Sequence, residues 1–195
     1  MIMKQLLSAL MFISFFSGCG RGFSALEHKL IRKGGGDIMR VLEITNEQDS
    51  LLLRRKSLPL DEHMVRKGDF KLLCQRMLAT VQNPENEGVG IAAPQVGMLR
   101  RLVAVQRFDK DGEPFEFFVN PEIVEYGEPK KSGGEGCLSV PDRRGDVVRS
   151  QRIKLRYRDA DFVLREEYIE GFTAVICQHE IDHLDGILYI DREEK

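Results

Sequence analysis

A chain of 195 residues, 42% hydrophobic and 31% charged, holds enough apolar material for one folded domain and too much for a disordered one. Lys+Arg 29 against Asp+Glu 31 leaves a formal net charge of -2, so bulk attraction for nucleic acid or an anionic membrane is absent. The four cysteines form no CxxC pair, which excludes a zinc ribbon, and no apolar run reaches the roughly 18 residues of a spanning helix.

Residues 1–38 differ from the rest. Lys4 precedes an apolar block over residues 6–16, and Ser17-Gly18-Cys19 follows, the order of an export signal with Cys19 as lipid acceptor. Phe16 stands where such sites prefer Leu, Val or Ile. The run from Lys33 through three glycines and Asp37 to Met39 can instead be encoded by a purine-rich ribosome-binding site ahead of an initiating Met39. That second reading is favoured, and on either the folded part begins near Met39. The expected organisation is a leader without ordered structure over 1–38 and one catalytic domain over 39–195.

Along the body, residues 40–44 read as a short strand and 51–61 as irregular. Phe70, Leu73, Cys74, Met77, Leu78 and Val81 recur at helical spacing, predicting a helix over 68–82 that Asn83-Pro84 ends. A glycine-rich stretch covers 88–97. Short β-branched or aromatic runs at 102–105, 115–120, 123–126, 147–148, 153–157 and 162–168 are separated by turn residues at hairpin-length gaps, as in antiparallel sheet. A helix over 172–184 closes the body. The fold class is therefore α+β rather than alternating α/β.

The last helix carries His179-Glu180-Ile181-Asp182-His183, an HExxH sequence. Positions i and i+4 lie one turn apart on one helix face, so both imidazoles can meet one metal, with Glu180 placed to take a proton from water. Phe172, Val175, Ile176, His179 and His183 share one face, while Ala174, Cys177, Ile181 and Leu184 form a second apolar face. Apolar on two sides, this helix is expected at the centre of the domain. Buried histidines need partners, and a metal supplies one; backbone carbonyls are the plainer alternative.

A third ligand must come from upstream. Too little chain follows His183 for a distant carboxylate, and Tyr189 stands where a metzincin would place its third histidine. Cys74 and Cys177 sit on apolar helix faces and read as core, and His63 lies in a charged, solvated stretch. Cys137, in Gly133-Gly134-Glu135-Gly136-Cys137-Leu138-Ser139, has the glycines that let backbone approach a metal. One thiolate and two imidazoles leave a coordination position open, the catalytic arrangement. The stretch Gly88-Val89-Gly90-Ile91-Ala92-Ala93-Pro94-Gln95 lacks the residues of a phosphate loop. It suits extended backbone, and the Gln95 amide can donate to a developing oxyanion.

Together these segments, GxGxAAxQ at 88–95, EGCLS at 135–139 and HExDH at 179–183, resemble peptide deformylase, in that family's order and over residues 39–191. The resemblance implies antiparallel sheets packed around the central HExxH helix. It implies metal ligation by Cys137, His179 and His183, with Glu180 as general acid/base and the Gln95 amide and Leu138 N–H as oxyanion donors. It further implies that Val89, Gly90 and Gly136 pair with the substrate backbone and that Arg144 contacts the peptide further along. Val89, Phe172, Val175 and Ile176 would line a methionine pocket. The implied reaction removes the N-formyl group from the formyl-methionine of nascent polypeptides and releases formate. The implied metal is Fe²⁺, replaceable by Ni²⁺, Co²⁺ or Zn²⁺. Expected partners are N-formylmethionyl nascent chains and transiently the ribosome, in the cytoplasm, with no nucleic acid, and no membrane unless the leader is real. Two rival readings stand beside this one: an exported zinc metallopeptidase, and a formyl-peptide or ribosome-associated binding protein with a dead site.

Overall fold

The computed structural model describes residues 22–33, 37–86 and 88–193. The apolar block at 6–16 and Cys19 lie outside the described residues. The helices are α1 (Ala25–Arg32), α2 (Glu47–Leu53), α3 (Glu62–Val65), α4 (Gly68–Val81) and α5 (Gly171–Leu184). The strands are β1 (Gly90–Ala92), β2 (Leu102–Gln106), β3 (Phe115–Tyr126), β4 (Lys130–Cys137), β5 (Val140–Ser150), β6 (Arg152–Arg158) and β7 (Leu164–Glu170). They form an antiparallel five-stranded sheet in the order β1-β2-β3-β6-β7 and a separate β4-β5 hairpin.

The large sheet is covered on both faces, which is why β2 reads as an unbroken apolar run. Val103 and Val105 point to one side and join Phe118, Ile153, Leu155 and Ile169 against Ala174, Ile176, Cys177 and Ile181 of α5. Leu102 and Ala104 point to the other and join Ile91 and Val119 against Phe70, Leu73 and Met77 of α4. The hairpin builds a third cluster from Val140 and Val147 with Leu188 and Tyr189. Buried from Thr173 onward except at half-buried Val175, α5 is the central helix expected. The Gln178 amide locks it to β5, accepting from the Ser150 N–H at 3.1 Å and donating to the Ser150 carbonyl at 2.7 Å.

Several expectations are revised. Residues 40–44 form no strand; they run extended, with the Leu42 and Ile44 N–H groups bonded to Gln95 O and Ser139 O at 2.7 and 2.9 Å. The stretch at 51–61 takes in the end of α2, and α3 follows it. The runs at 115–120 and 123–126 are one strand bent by irregular pairing with β6, and β4 is a strand despite three glycines, paired along its length to β5.

The largest revision is upstream of Met39, where Gly22–Lys33 was expected to carry no order. Ala25–Arg32 is a helix docked on α4, started by a capping box in which Ser24 and Glu27 satisfy each other's backbone N–H. Ile31 is fully buried, and Glu27 makes paired bonds of 2.5 and 3.0 Å with Arg100. Buried Arg76 of α4 donates to the Leu30, Ile31 and Ile38 carbonyls at 3.1, 2.7 and 3.3 Å, so it serves the end of α1, where backbone carbonyls lack helical partners.

Candidate active site

The end of β4 and the C-terminal half of α5 bring one thiol and two imidazoles together. The ligand atoms of Cys137, His179 and His183 all lie within 4.8 Å of one another, with Cys137 Sγ 3.2 Å from His183 Nε2. Burial pushes His183 well below the usual imidazole range and so keeps it neutral, the form that ligates. The Nδ1 of His179 lies 2.8 Å from Glu135 Oε2, a contact that orients the ring and leaves Nε2 on the Cys137 side. Burial lowers His179 too, but the Cys137 and Glu135 contacts outweigh it and raise the group.

Glu135 belongs to a buried chain of charges. Arg149 grips it with bonds of 2.8 and 3.1 Å and reaches Asp182 Oδ2 at 2.6 Å; Arg192 closes the chain on Asp182 at 2.5 and 2.6 Å. Burial pushes the Glu135 carboxyl up, yet bonds from His179 and Arg149 hold it at about 2. Sequence reasoning assigned no role to Glu135, Arg149 or Asp182. Glu135, a carboxylate inside a glycine-rich stretch, was the available signal, since buried charges need partners.

Glu180 has no such partner. Its Oε2 is buried without a hydrogen bond among the described residues, and burial raises the carboxyl to about 7. Its other oxygen presses on β1: a β-carbon at Gly90 would lie 2.6 Å from Glu180 Oε1 and 2.8 Å from Ile176 Cγ2, so only glycine fits. Beside it, Gln95 is oriented rather than mobile. Its side-chain oxygen accepts from the Ala92 N–H at 2.8 Å, which turns the NH₂ end towards Ser139 Oγ at 3.2 Å and Cys137 Sγ at 3.6 Å.

These groups open onto a cleft of about 790 Å³. Every site residue expected from sequence lines it, including Val89, Gly136, Leu138 and Arg144, except His183, which is buried behind. Val175 and Ile176 form its apolar wall, while Phe172 sits at the rim, 56% exposed, its ring 5.3 Å from that of Phe108. Phe108 is a neighbour the sequence did not mark. His63 is exposed, and burial pushes the Cys74 thiol up to about 12 and Cys177 higher still, as for inert core cysteines.

Residues 41–195 match the family described as polypeptide deformylase. The chain belongs to the peptide deformylase family. Relatives include the peptide deformylases of Leptospira biflexa, 39% identical over 80% of this chain and 87% of that one, and of Chlorobium phaeobacteroides, 42% identical over 80% and 82%. Among solved structures, the Met-Ala-Ser-bound class I type b peptide deformylase of Acinetobacter baumannii superposes with a TM-score of 0.71 at 35% identity, over 80% of this chain and 98% of that one. The Thermotoga maritima peptide deformylase gives 0.71 at 33%, over 81% and 99%. The fold is thus that of peptide deformylases, and the activity is metal-dependent removal of the N-formyl group from nascent peptides. The residues fit the metal that activity requires: one thiol and two imidazoles converge, and an unbonded buried carboxylate oxygen lies beside them. Among the described residues no helix is long and apolar enough to cross a membrane.

Proposed function

We propose that Cys137, His179 and His183 hold one divalent ion, Fe²⁺ in the native enzyme and replaceable by Ni²⁺, Co²⁺ or Zn²⁺, and that Glu180 moves the proton. When bound, the ion acts as a Lewis acid that polarises the formyl oxygen and acidifies water. Glu180 Oε2 accepts the proton of the attacking water and delivers it to the departing amine nitrogen, so water and formamide become formate and a free N-terminus. Burial raises the Glu180 carboxyl above the usual carboxylate range, towards the neutral pH at which a proton carrier works in both directions. The NH₂ of Gln95 and the Leu138 N–H donate to the formyl oxygen as negative charge builds, and pre-orientation of Gln95 by Ala92 supports that role.

Substrate enters as an extended strand along Val89, Gly90 and Gly136, its methionine side chain against Val89, Val175, Ile176 and the Phe172 rim, with Arg144 meeting the residues that follow. The enzyme works in the cytoplasm on emerging chains, in brief contact with the ribosome.

The observation that carries this reading is the convergence of three candidate ligand atoms together with a buried carboxylate oxygen that has no hydrogen bond among the described residues. Formate release from formyl-Met-Ala-Ser tests it, with the chain purified anaerobically. Glu180→Gln is expected to keep its metal and lose roughly 10²–10⁴-fold in kcat. Near-normal turnover by a metal-replete variant would overturn the role of Glu180, and peptide-bond cleavage in unformylated peptides would favour a peptidase.

A further inference from the structure

We propose that the C-terminal segment, residues 188–193, is a strut that sets the position of the Arg143–Gly145 rim and thereby the grip on peptide residues beyond methionine. The inference rests on the path just given for the peptide. Arg143 and Arg144 line the cleft, and in the hairpin register Arg144 lies opposite Gly136 and Gly145 opposite Glu135. The rim is therefore one wall of the channel through which the peptide leaves the methionine pocket.

Three contacts hold that wall from behind. Tyr189 is buried and its hydroxyl donates to the Arg143 carbonyl at 2.9 Å. Glu193 pairs with the Arg143 guanidinium, and its backbone bridges Val147 in antiparallel fashion. A β-carbon at Gly145 would fall inside the Glu193 carboxylate, so the rim is without a side chain where the tail crosses it. The tail is itself anchored to the body: Asp191 pairs with Arg54 and accepts the Leu188 N–H at 2.9 Å, and Arg192 holds Asp182. The Tyr189 ring stacks on that of His179, with centroids 6.1 Å apart and planes at 21°. One short segment thus spans the distance from a metal ligand to the peptide wall. Without Glu193, the half-exposed Arg143 side chain has no other ion-pair partner among the described residues. Tyr189 and Glu193 are positioning residues: they act through Arg143 and Gly145 and not on the reacting atoms.

A general structural role and a substrate-positioning role part company over peptide length. Steady-state kinetics of Glu193→Gln and Tyr189→Phe are compared on formyl-Met-Ala-Ser and on formyl-methionine amide, which has nothing beyond methionine, with metal content measured alongside. The strut predicts that each variant raises KM for the tripeptide by about 2–5-fold, the worth of one exposed ion pair or one neutral hydrogen bond. It predicts unchanged kcat, unchanged metal content and unchanged KM for the amide. A KM increase shared by both substrates, a loss of kcat or metal, or no change on the tripeptide would each overturn it. Calorimetric binding of Met-Ala-Ser against methionine amide repeats the comparison without turnover. A wild-type chain that released no formate would defeat the proposed function, while the length dependence of binding would still decide for or against the strut.

Discussion

Two buried arginines organise opposite flanks of this molecule and do so by different means. Arg149 lies behind the candidate metal site and its guanidinium is held by carboxylates, bridging Glu135 and Asp182. Arg76 lies in α4 on the far face of the sheet and is held by backbone, its guanidinium shared among the carbonyls of Leu30, Ile31 and Ile38. The first arrangement gives stiffness. Glu135 is fixed by Arg149 and in turn orients the ring of His179, so positive charge two contacts away decides how an imidazole of the candidate metal site points. The second gives attachment. Arg76 gathers the end of one helix and the chain after it, and Met39 follows with its N–H on Thr80 Oγ1 at 2.8 Å. From there the chain crosses to Gln95 and Ser139. One flank shapes the chemistry and the other ties the chain to it.

Removing Arg149 itself, and separately the segment that Arg76 holds, distinguishes the two roles. Arg149→Met leaves Glu135 and Asp182 buried with a positive charge deleted between them, and the expected cost is about 3–5 kcal/mol of stability. Metal affinity should fall as well, because His179 loses its fixed orientation. Urea denaturation with metal analysis checks both, and a loss below about 1 kcal/mol would show that the network is not what holds the site.

A chain starting at Met39 should lose less, about 3 kcal/mol, from exposure around Ile31 and the stranded Arg76 guanidinium. Formate release per bound metal should stay at the full-length value. If activity per metal falls with stability, the two flanks are not independent.

Acid gives a smaller, signed effect on the same comparison. The Arg32 bond holds the Asp69 carboxyl below its ordinary 3.8. Burial pushes Glu27 up, but bonds from Arg100 and Ser24 outweigh it and hold it below 4.5. Carboxyls lowered by folding stabilise fully above their ordinary values and lose that contribution as pH falls through the folded ones. The stability gap between full-length and Met39-start chains should therefore narrow below about pH 4. A gap that widened in acid would contradict the ion pairs that α1 makes with Asp69 and Arg100.

The same contrast explains what was legible in the sequence. The helix α5, its two apolar faces and its two histidines one turn apart were readable because period, motif and burial coincide in one continuous segment. Cys137 was readable because glycines surround it. Arg149 was not, since a single arginine in a strand gives no sign that it folds back onto residues 14 and 33 positions away. Helix α1 was not either: it is only eight residues long with one fully buried side chain, Ile31, and half-buried Leu30 beside it, an apolar face too short to stand out, and part of its docking uses carbonyls that every sequence possesses. Its Ser24–Glu27 capping box was the one local clue. Strand β4 was hidden by glycines that pair well but carry no β-branched signature.

The central claim is a division of labour in which Cys137, His179 and His183 hold the ion while Glu180 handles the proton. Metal bound per chain after anaerobic loading with Fe²⁺ and desalting tests it most directly, measured on wild type, Cys137→Ser and Glu180→Gln. The account predicts about one ion per chain in wild type and in Glu180→Gln, and almost none in Cys137→Ser. Full retention in Cys137→Ser, or loss in Glu180→Gln, would contradict it.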